Sequence, residues 1–169
     1  MFKKTDLILG YVSNQLVKKL FDIYNALEPQ EKQVTNTYFI YDPIENKKVD
    51  TFNTIITAQN QASKLSDSFK QEITKNFRFD LLHHLHIIEY LENSKLDFHD
   101  HSANEHYSYI VYMDNHGGTE FKLDDGLLFV PSEKCKLVIF PSGIYHKAVI
   151  DSTHRIVAAG GIFKKNYAT

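Results

Sequence analysis

The chain carries two textures. Residues 13–28 place Leu16, Val17, Leu20, Phe21, Tyr24 and Leu27 at helical spacing. Ser13 precedes them and can cap the free N–H groups of a first turn. Residues 34–41, Val34 to Tyr41, are rich in Thr, Tyr, Phe and Ile and predict a strand that Asp42-Pro43 ends. Residues 54–76 predict a second, more polar helix. From residue 84 short β-rich runs take over, at 84–91, 107–113, 119–123, 127–130, 136–140, 144–150 and 154–164. Asn115-His116-Gly117-Gly118, Asp124-Asp125-Gly126 and Pro141-Ser142-Gly143 separate several of them. Many short strands with turn punctuation predict a sandwich or barrel. The expected fold class is α+β, mainly β: a double-stranded β-helix core, jelly-roll or cupin-like, with N-terminal helices packed on it. One domain is expected over 1–169, with an N-terminal helical and strand layer at 1–80 and the β-helix core at 84–165.

Composition narrows the function classes. The 169 residues suffice for one domain with a real core, and 43% hydrophobic with 24% charged content is that of an ordinary soluble protein. A net charge of −2 offers no basic surplus for neutralising phosphates, so no nucleic-acid partner is expected. No stretch of about 18 apolar residues occurs, so no membrane span is expected. The apolar run Leu7-Ile8-Leu9 behind Lys3-Lys4 is too short for a signal peptide. Cys135 is the sole cysteine, which excludes an internal disulfide and points to a reducing, cytoplasmic setting. Lys134 and Lys136 beside it could lower its pKa, although a loop thiol without a partner base is usually idle.

Candidate chemistry gathers in the second half. His99-Asp100-His101 puts two imidazoles on one face of a strand, because side chains alternate across the pleat. His146, from a distant strand, can close a metal site with them. Arg155 follows nine residues later and can hold a carboxylate in bidentate geometry. Metal plus carboxylate anchor is the layout that a 2-oxoacid cosubstrate needs. The plainer readings stand beside these. The chain has 9 histidines and 10 tyrosines, so single ones are commonly packing or surface residues. Arg155 could form a surface ion pair with Asp151 or Glu120.

Residues 87–163 resemble the catalytic core of the Fe(II)/2-oxoglutarate-dependent oxygenases, particularly the prolyl-hydroxylase-like branch. Ile88-Glu89-Tyr90 before His99 is similar to that family's lead-in tyrosine and first iron ligand. Ile110-Val111-Tyr112-Met113-Asp114 is similar to its Tyr-Leu-Asn strand, and Gly117-Gly118-Thr119-Glu120-Phe121 to its Gly-Gly-(x)-Thr-Phe hairpin. Leu137-Val138-Ile139-Phe140-Pro141-Ser142 resembles the strand leading to its last iron ligand. The resemblance implies an Fe(II)- and 2-oxoglutarate-dependent dioxygenase, a hydroxylase that couples decarboxylation of 2-oxoglutarate by O2 to oxidation of a small-molecule or protein substrate. It implies His99 and His146 as iron ligands, Arg155 on the C5 carboxylate, Tyr112 hydrogen-bonded to that carboxylate and Tyr90 assisting.

One position departs from the family. Its second ligand is an acid two residues after the first histidine; here that residue is His101. Three readings follow: a three-histidine iron centre, a bulge that turns Asp100 inward, or a site without oxygenase chemistry. Strand alternation favours His101. A cupin is the rival reading, since His99-x-His101-(x3)-Glu105 and Pro141-x-Gly143-x-x-His146 match the shape of its two motifs. It would add Glu105 as a fourth ligand and use no 2-oxoglutarate, although a solvated loop is the commoner fate of glutamate. A non-catalytic β-sandwich binding protein with a vestigial site is the third. His84 and His86 share a face with Ile88 and Tyr90 if 84–90 is a strand, either as pocket groups or as a polar patch. His106 and His116 are expected near loops, facing solvent, and His154 to point away from the pocket.

Overall fold

The computed structural model describes residues 1–26, 33–42, 47–58, 71–72, 81–90, 96–103, 105–151 and 155–163, with backbone alone for 33–42, 47–58, 81–84 and 163. Ten strands and one α-helix make up the described elements, with a short 3-10 turn at Lys4–Asp6. In chain order they are β1 (Ile8–Tyr11), α1 (Asn14–Ala26), β2 (Gln33–Asp42), β3 (Lys47–Ala58), β4 (Leu81–Tyr90), β5 (Tyr107–Tyr112), β6 (Gly118–Leu123), β7 (Gly126–Pro131), β8 (Lys136–Pro141), β9 (His146–Val149) and β10 (Arg155–Phe163). A seven-stranded sheet has the order β1-β8-β5-β10-β4-β3-β2, and a three-stranded sheet the order β7-β6-β9. All the pairings are antiparallel.

The larger sheet is buried on both faces at its centre, which is why Tyr109–Met113 and Leu137–Phe140 read as unbroken apolar runs rather than alternating ones. Toward α1 it presents Leu85, Ile87, Tyr109, Val111, Leu137, Ile139, Ile156, Ala158 and Ile162, packed with Leu16, Val17, Leu20 and Tyr24 of the helix. Toward the smaller sheet it presents Tyr90, Ile110, Tyr112, Val138, Phe140 and Val157, packed with Phe121, Leu123 and Val130. β4, β5, β8 and β10 thus sort their odd and even positions between two cores. β6 keeps the half-buried alternation of a strand with one wet face.

The Ser13 cap is present: its Oγ accepts from Leu16 N at 3.1 Å. Ser13 Oγ and N in turn donate to the Glu72 carboxylate at 2.5 and 2.6 Å. Tyr24 OH donates to Glu89 on β4 and pins the other end of the helix to the sheet.

The predicted helix at 54–76 is overturned at its start, because residues 54–58 belong to β3. Thr54-Ile55-Ile56-Thr57 is a β-branched run that loses rotamer freedom in a helix and fits a pleated strand, and β4 supplies its ladder partner. Residues 71–72 are helical, and the rest of that segment lies outside the described residues. β1 is an unpredicted strand, paired through Ile8↔Ile139 at the edge of the larger sheet. Gly117 turns the chain between β5 and β6 at φ +66, where a Cβ would sit 2.0 Å from Val149 O, so a side chain is excluded both by conformation and by space. Among the described residues no helix is long and apolar enough to cross a membrane.

The packing predicts a sharp contrast between two leucines. Leu20 is fully buried under the sheet, and Leu9 on edge strand β1 is 55% exposed. Leu20→Ala should cost about 2–5 kcal/mol, from lost burial plus a cavity, and Leu9→Ala well under that. Urea unfolding followed by circular dichroism measures both.

Candidate metal centre

Three backbone features bring the histidines together. His99 forms an isolated antiparallel bridge with His146, donating N–H to the His146 carbonyl at 3.0 Å and accepting from His146 N at 2.9 Å. Residues opposite one another in such a pair project to the same side. His101, two residues on, returns to that side, and its N–H is held by Ser142 O at 2.9 Å. One ligand atom of each of His99, His101 and His146 lies within 4.8 Å of the others. The ring centroids are 4.5 to 5.2 Å apart.

The ring tautomers suit metal binding. The Nδ1 of His99 lies 3.0 Å from Asp97 O, and that of His146 lies 3.0 Å from Ile144 O. A carbonyl only accepts, so each Nδ1 carries the proton and each Nε2 keeps its lone pair. Burial pushes the His146 imidazole well below its ordinary value of 6.5, with His99, His101 and Arg155 nearby adding to the effect against the Ile144 carbonyl. Burial also lowers His99, against the Asp97 carbonyl and Asp100. Phe140 packs on His146 edge to face at 4.7 Å and excludes water from that side. Asp100 stays out of the cluster: its Oδ1 accepts from Ser102 N at 3.1 Å and Ser102 Oγ at 2.9 Å.

The anion-binding candidate lies in the same cavity, of about 630 Å³, which His99, His101, His146, Arg155, Tyr90 and Thr119 help to line. Arg155 opens β10 opposite Tyr90 of β4 and is 1% exposed. Its Nη2 donates to Thr119 Oγ1 at 3.0 Å, and its Nε has no hydrogen-bond partner among the described residues. The guanidinium lies 5.4 Å from the Tyr90 ring centroid and 5.3 Å from that of Tyr112. Neither acid considered as its partner reaches it. Asp151 accepts from Gly117 N at 2.9 Å, and Glu120 pairs with Lys147 at 2.9 Å. Tyr112 is fully buried and not among the cavity-lining residues; its hydroxyl donates to Thr119 Oγ1 at 2.9 Å.

Thr119 is therefore the residue that sequence reasoning missed. Its hydroxyl accepts from both Tyr112 and Arg155, which leaves its own hydrogen for a further acceptor. The alternation of Thr119, Phe121 and Leu123 on β6 was the available signal. Glu105 corrects the solvated-loop reading, since it is 5% exposed, lines the cavity and accepts from Ser108 Oγ at 2.5 Å. Burial raises its carboxyl pKa, with the Ser108 hydrogen bond opposing. It is not part of the three-histidine cluster. His86, Ile88 and Tyr90 all line the cavity, so His86 is a pocket group rather than a patch under the helix. His106 is exposed and His116 is half-exposed beside Asp151. Burial raises the Cys135 thiol against the pull of Lys134, contrary to the lowering considered from sequence. His83, His84 and His154 have no described side chains.

No family model matches the sequence, and no curated protein matches it. Solved structures do match its shape. A Pseudomonas putida prolyl-4-hydroxylase aligns with a TM-score of 0.67 at 14% identity, covering 95% of this chain and 94% of that one. A 2OG-Fe(II) oxygenase family oxidoreductase from Burkholderia pseudomallei aligns with a TM-score of 0.73 at 8% identity, covering 96% and 87%. HygX from Streptomyces hygroscopicus, with nickel and 2-oxoglutarate bound, aligns with a TM-score of 0.67 at 8% identity, covering 98% and 88%. The fold is that of the 2OG-Fe(II) oxygenases. Over this fold the chain carries three imidazoles and a buried arginine in one cavity.

The buried imidazoles set a pH dependence. Their pKa values are lowered in the folded protein, so below about 6.5 the unfolded chain binds protons that the folded chain refuses. Stability of the metal-free protein should therefore fall as pH drops from about 7 toward 5. Glu105 acts oppositely, because its raised pKa costs stability as pH climbs above its ordinary value of 4.5. Thermal melts across that range should show the histidine slope, and His146→Gln should flatten it. An unchanged slope in the variant would mean that His146 is not held neutral.

Proposed function

We infer that the protein is an Fe(II)- and 2-oxoglutarate-dependent dioxygenase of the hydroxylase type, built as one domain in which the two sheets close as a double-stranded β-helix. The observation that carries this reading is Arg155: a buried guanidinium, with no carboxylate on it among the described residues, in the cavity that three converged imidazoles line. A buried charge without a partner is costly. A ligand that brings an anion to Arg155 and donor atoms to a metal relieves that cost, and 2-oxoglutarate is such a ligand.

The residues fit the metal. His99, His101 and His146 would hold it through imidazole nitrogens, which suit Fe(II). The iron would supply activation of O2 and the oxidative decarboxylation of 2-oxoglutarate. The chain's own part is binding, orientation and exclusion of water. Arg155 would pair with the C5 carboxylate, and Thr119 would add the donor that its two accepted bonds leave over. Tyr112 would hold Thr119 and Arg155 from behind, and Tyr90 would flank the guanidinium. Phe140 and Phe121 shield His146 from water. The cavity, at about 630 Å³, is in the ~300–1,000 Å³ range of small-ligand pockets and exceeds the needs of the cosubstrate alone. The substrate would occupy the remainder.

Anaerobic titration of the full chain with Fe(II), then 2-oxoglutarate, tests this reading. A visible charge-transfer band should develop with the second ligand. Arg155→Ala should keep the metal and bind 2-oxoglutarate about 30-fold or more weakly, as expected for ~2–5 kcal/mol on losing one partner of a buried charge pair. His146→Ala should lose the metal. Metal bound without a 2-oxoglutarate band would sink the oxygenase reading and leave the cupin one.

A further inference from the structure

The smaller sheet ends in an open strand. β7 is its outer strand among the described residues, with β6 on one side only. The N–H of Ser132, the residue after β7, donates to Gly117 O at 3.0 Å and continues the Gly118↔Pro131 register. Backbone groups alternate in direction along an antiparallel strand. Gly126, Leu128 and Val130 therefore turn their N–H and C=O groups toward β6, and Leu127, Phe129 and Pro131 turn theirs to the free edge. The outward groups are the carbonyls of all three and the N–H groups of Leu127 and Phe129, since proline has none.

This edge is poorly guarded. Exposed edges are commonly blunted by charged side chains, and no residue from Gly126 to Pro131 carries a charge. Pro131 blunts its last position alone. On the outer face Leu127 is 62% and Phe129 47% exposed. The Phe129 ring rests on the backbone of Gly118, where a Cβ would fall 2.5 Å from two carbons of the ring. That contact fixes the ring and leaves an apolar surface beside the open backbone groups. Charges of opposite sign flank the strand: Asp124 and Asp125 precede it and Lys134 follows it, all three exposed.

We propose that β7 pairs with β7 of a second copy of this chain, antiparallel about a two-fold axis at Phe129, so that the two three-stranded sheets join edge to edge. In that register the two Phe129 residues exchange both of their N–H···O=C bonds. Each Leu127 N–H meets the carbonyl of the partner's Pro131, so the missing proline N–H leaves one carbonyl per chain to solvent. Charge selects the register. Asp124 falls opposite the partner's Lys134, whereas an axis at Leu128 would set Lys122 opposite the partner's Lys134. A second copy fits this edge because the edge is complementary to itself: outward groups meet outward groups, and the acid at one end meets the lysine at the other. A two-fold contact closes, so association stops at a dimer. No residue of β7 lines the cavity, and the inference is independent of the chemistry there.

Sedimentation velocity on the full chain, over a wide range of concentration, tests it. Wild type should pass from monomer to dimer with a dissociation constant of roughly 100 µM or tighter, and go no further. Leu127→Lys, a charge added at an already exposed position, should weaken the dimer about ten-fold or more and leave the thermal melt of the monomer unchanged. Asp124→Lys, which sets lysine against lysine at both ends of the contact, should weaken it about five-fold or more at low salt. Asp124→Lys combined with Lys134→Asp should restore it. A chain that stays monomeric overturns the proposal. So does a dimer that Leu127→Lys leaves intact, which would lie on another face, and so does growth beyond a dimer. No loss with Asp124→Lys, or loss without rescue, overturns the register and with it the axis at Phe129.

Discussion

A guanidinium buried between two sheets is the constraint around which the site is organised. Arginine keeps its charge inside a protein, so the surroundings must answer it. Here they answer with two aromatic faces and one hydroxyl, and no acid among the described residues. Aromatic faces attract a cation, but they do not discharge it. The protein thus spends folding stability on a buried charge that no acid among the described residues offsets, as functional sites commonly do. Tyr112 and Thr119 then make sense together. Tyr112 and the guanidinium both donate to the one Thr119 oxygen, which ties the three side chains together.

The electrostatics of the histidine cluster reinforce this. Neutral imidazoles leave a divalent metal with its full +2 charge, one unit more than a site with two histidines and a carboxylate. With a divalent metal bound there, Arg155 would bring the positive charges of the cavity to three against the one carboxylate of Glu105, in surroundings where Phe121 and Phe140 exclude water from one flank. Charges interact more strongly there than in water. A dianion that reaches both centres balances most of that excess, whereas a monoanion at either one would leave the other exposed. Under the oxygenase reading, His101 in place of an acid would therefore increase the demand for a doubly charged cosubstrate.

Much of this was legible in residue order. The spacing of His99, His101 and His146 and the nine-residue step to Arg155 located the cavity, because period-two alternation fixes which side chains share a face. The seven strands expected after residue 84 each have an observed counterpart. What was not legible depended on partners far away in the chain. β1 is a strand because β8 offers it an edge, and residues 54–58 are a strand because β4 does. Glu105 looked like a loop residue because its burial comes from Gly161 and Ser142, both remote in sequence. Thr119 gave no chemical signal alone. Its role exists only once Tyr112 and Arg155 converge on one oxygen.

The last strand shows how one segment can carry several of these demands. Along β10 the inward positions run from Arg155 to Val157, Ala159 and Gly161, a steady loss of side-chain volume. The outward positions Ile156, Ala158 and Ile162 meanwhile pack under α1. The inner taper leaves an end that the Arg155 side chain fills and an opposite end that is empty of β10 side chains, where Glu105 and His86 stand. Enlarging a residue at the narrow end of this taper would therefore act on the cavity before it acted on the fold. The outward face, which holds the helix, is unchanged by it. Alternation across a single strand thus separates the residues that keep the protein folded from those that shape what it can bind.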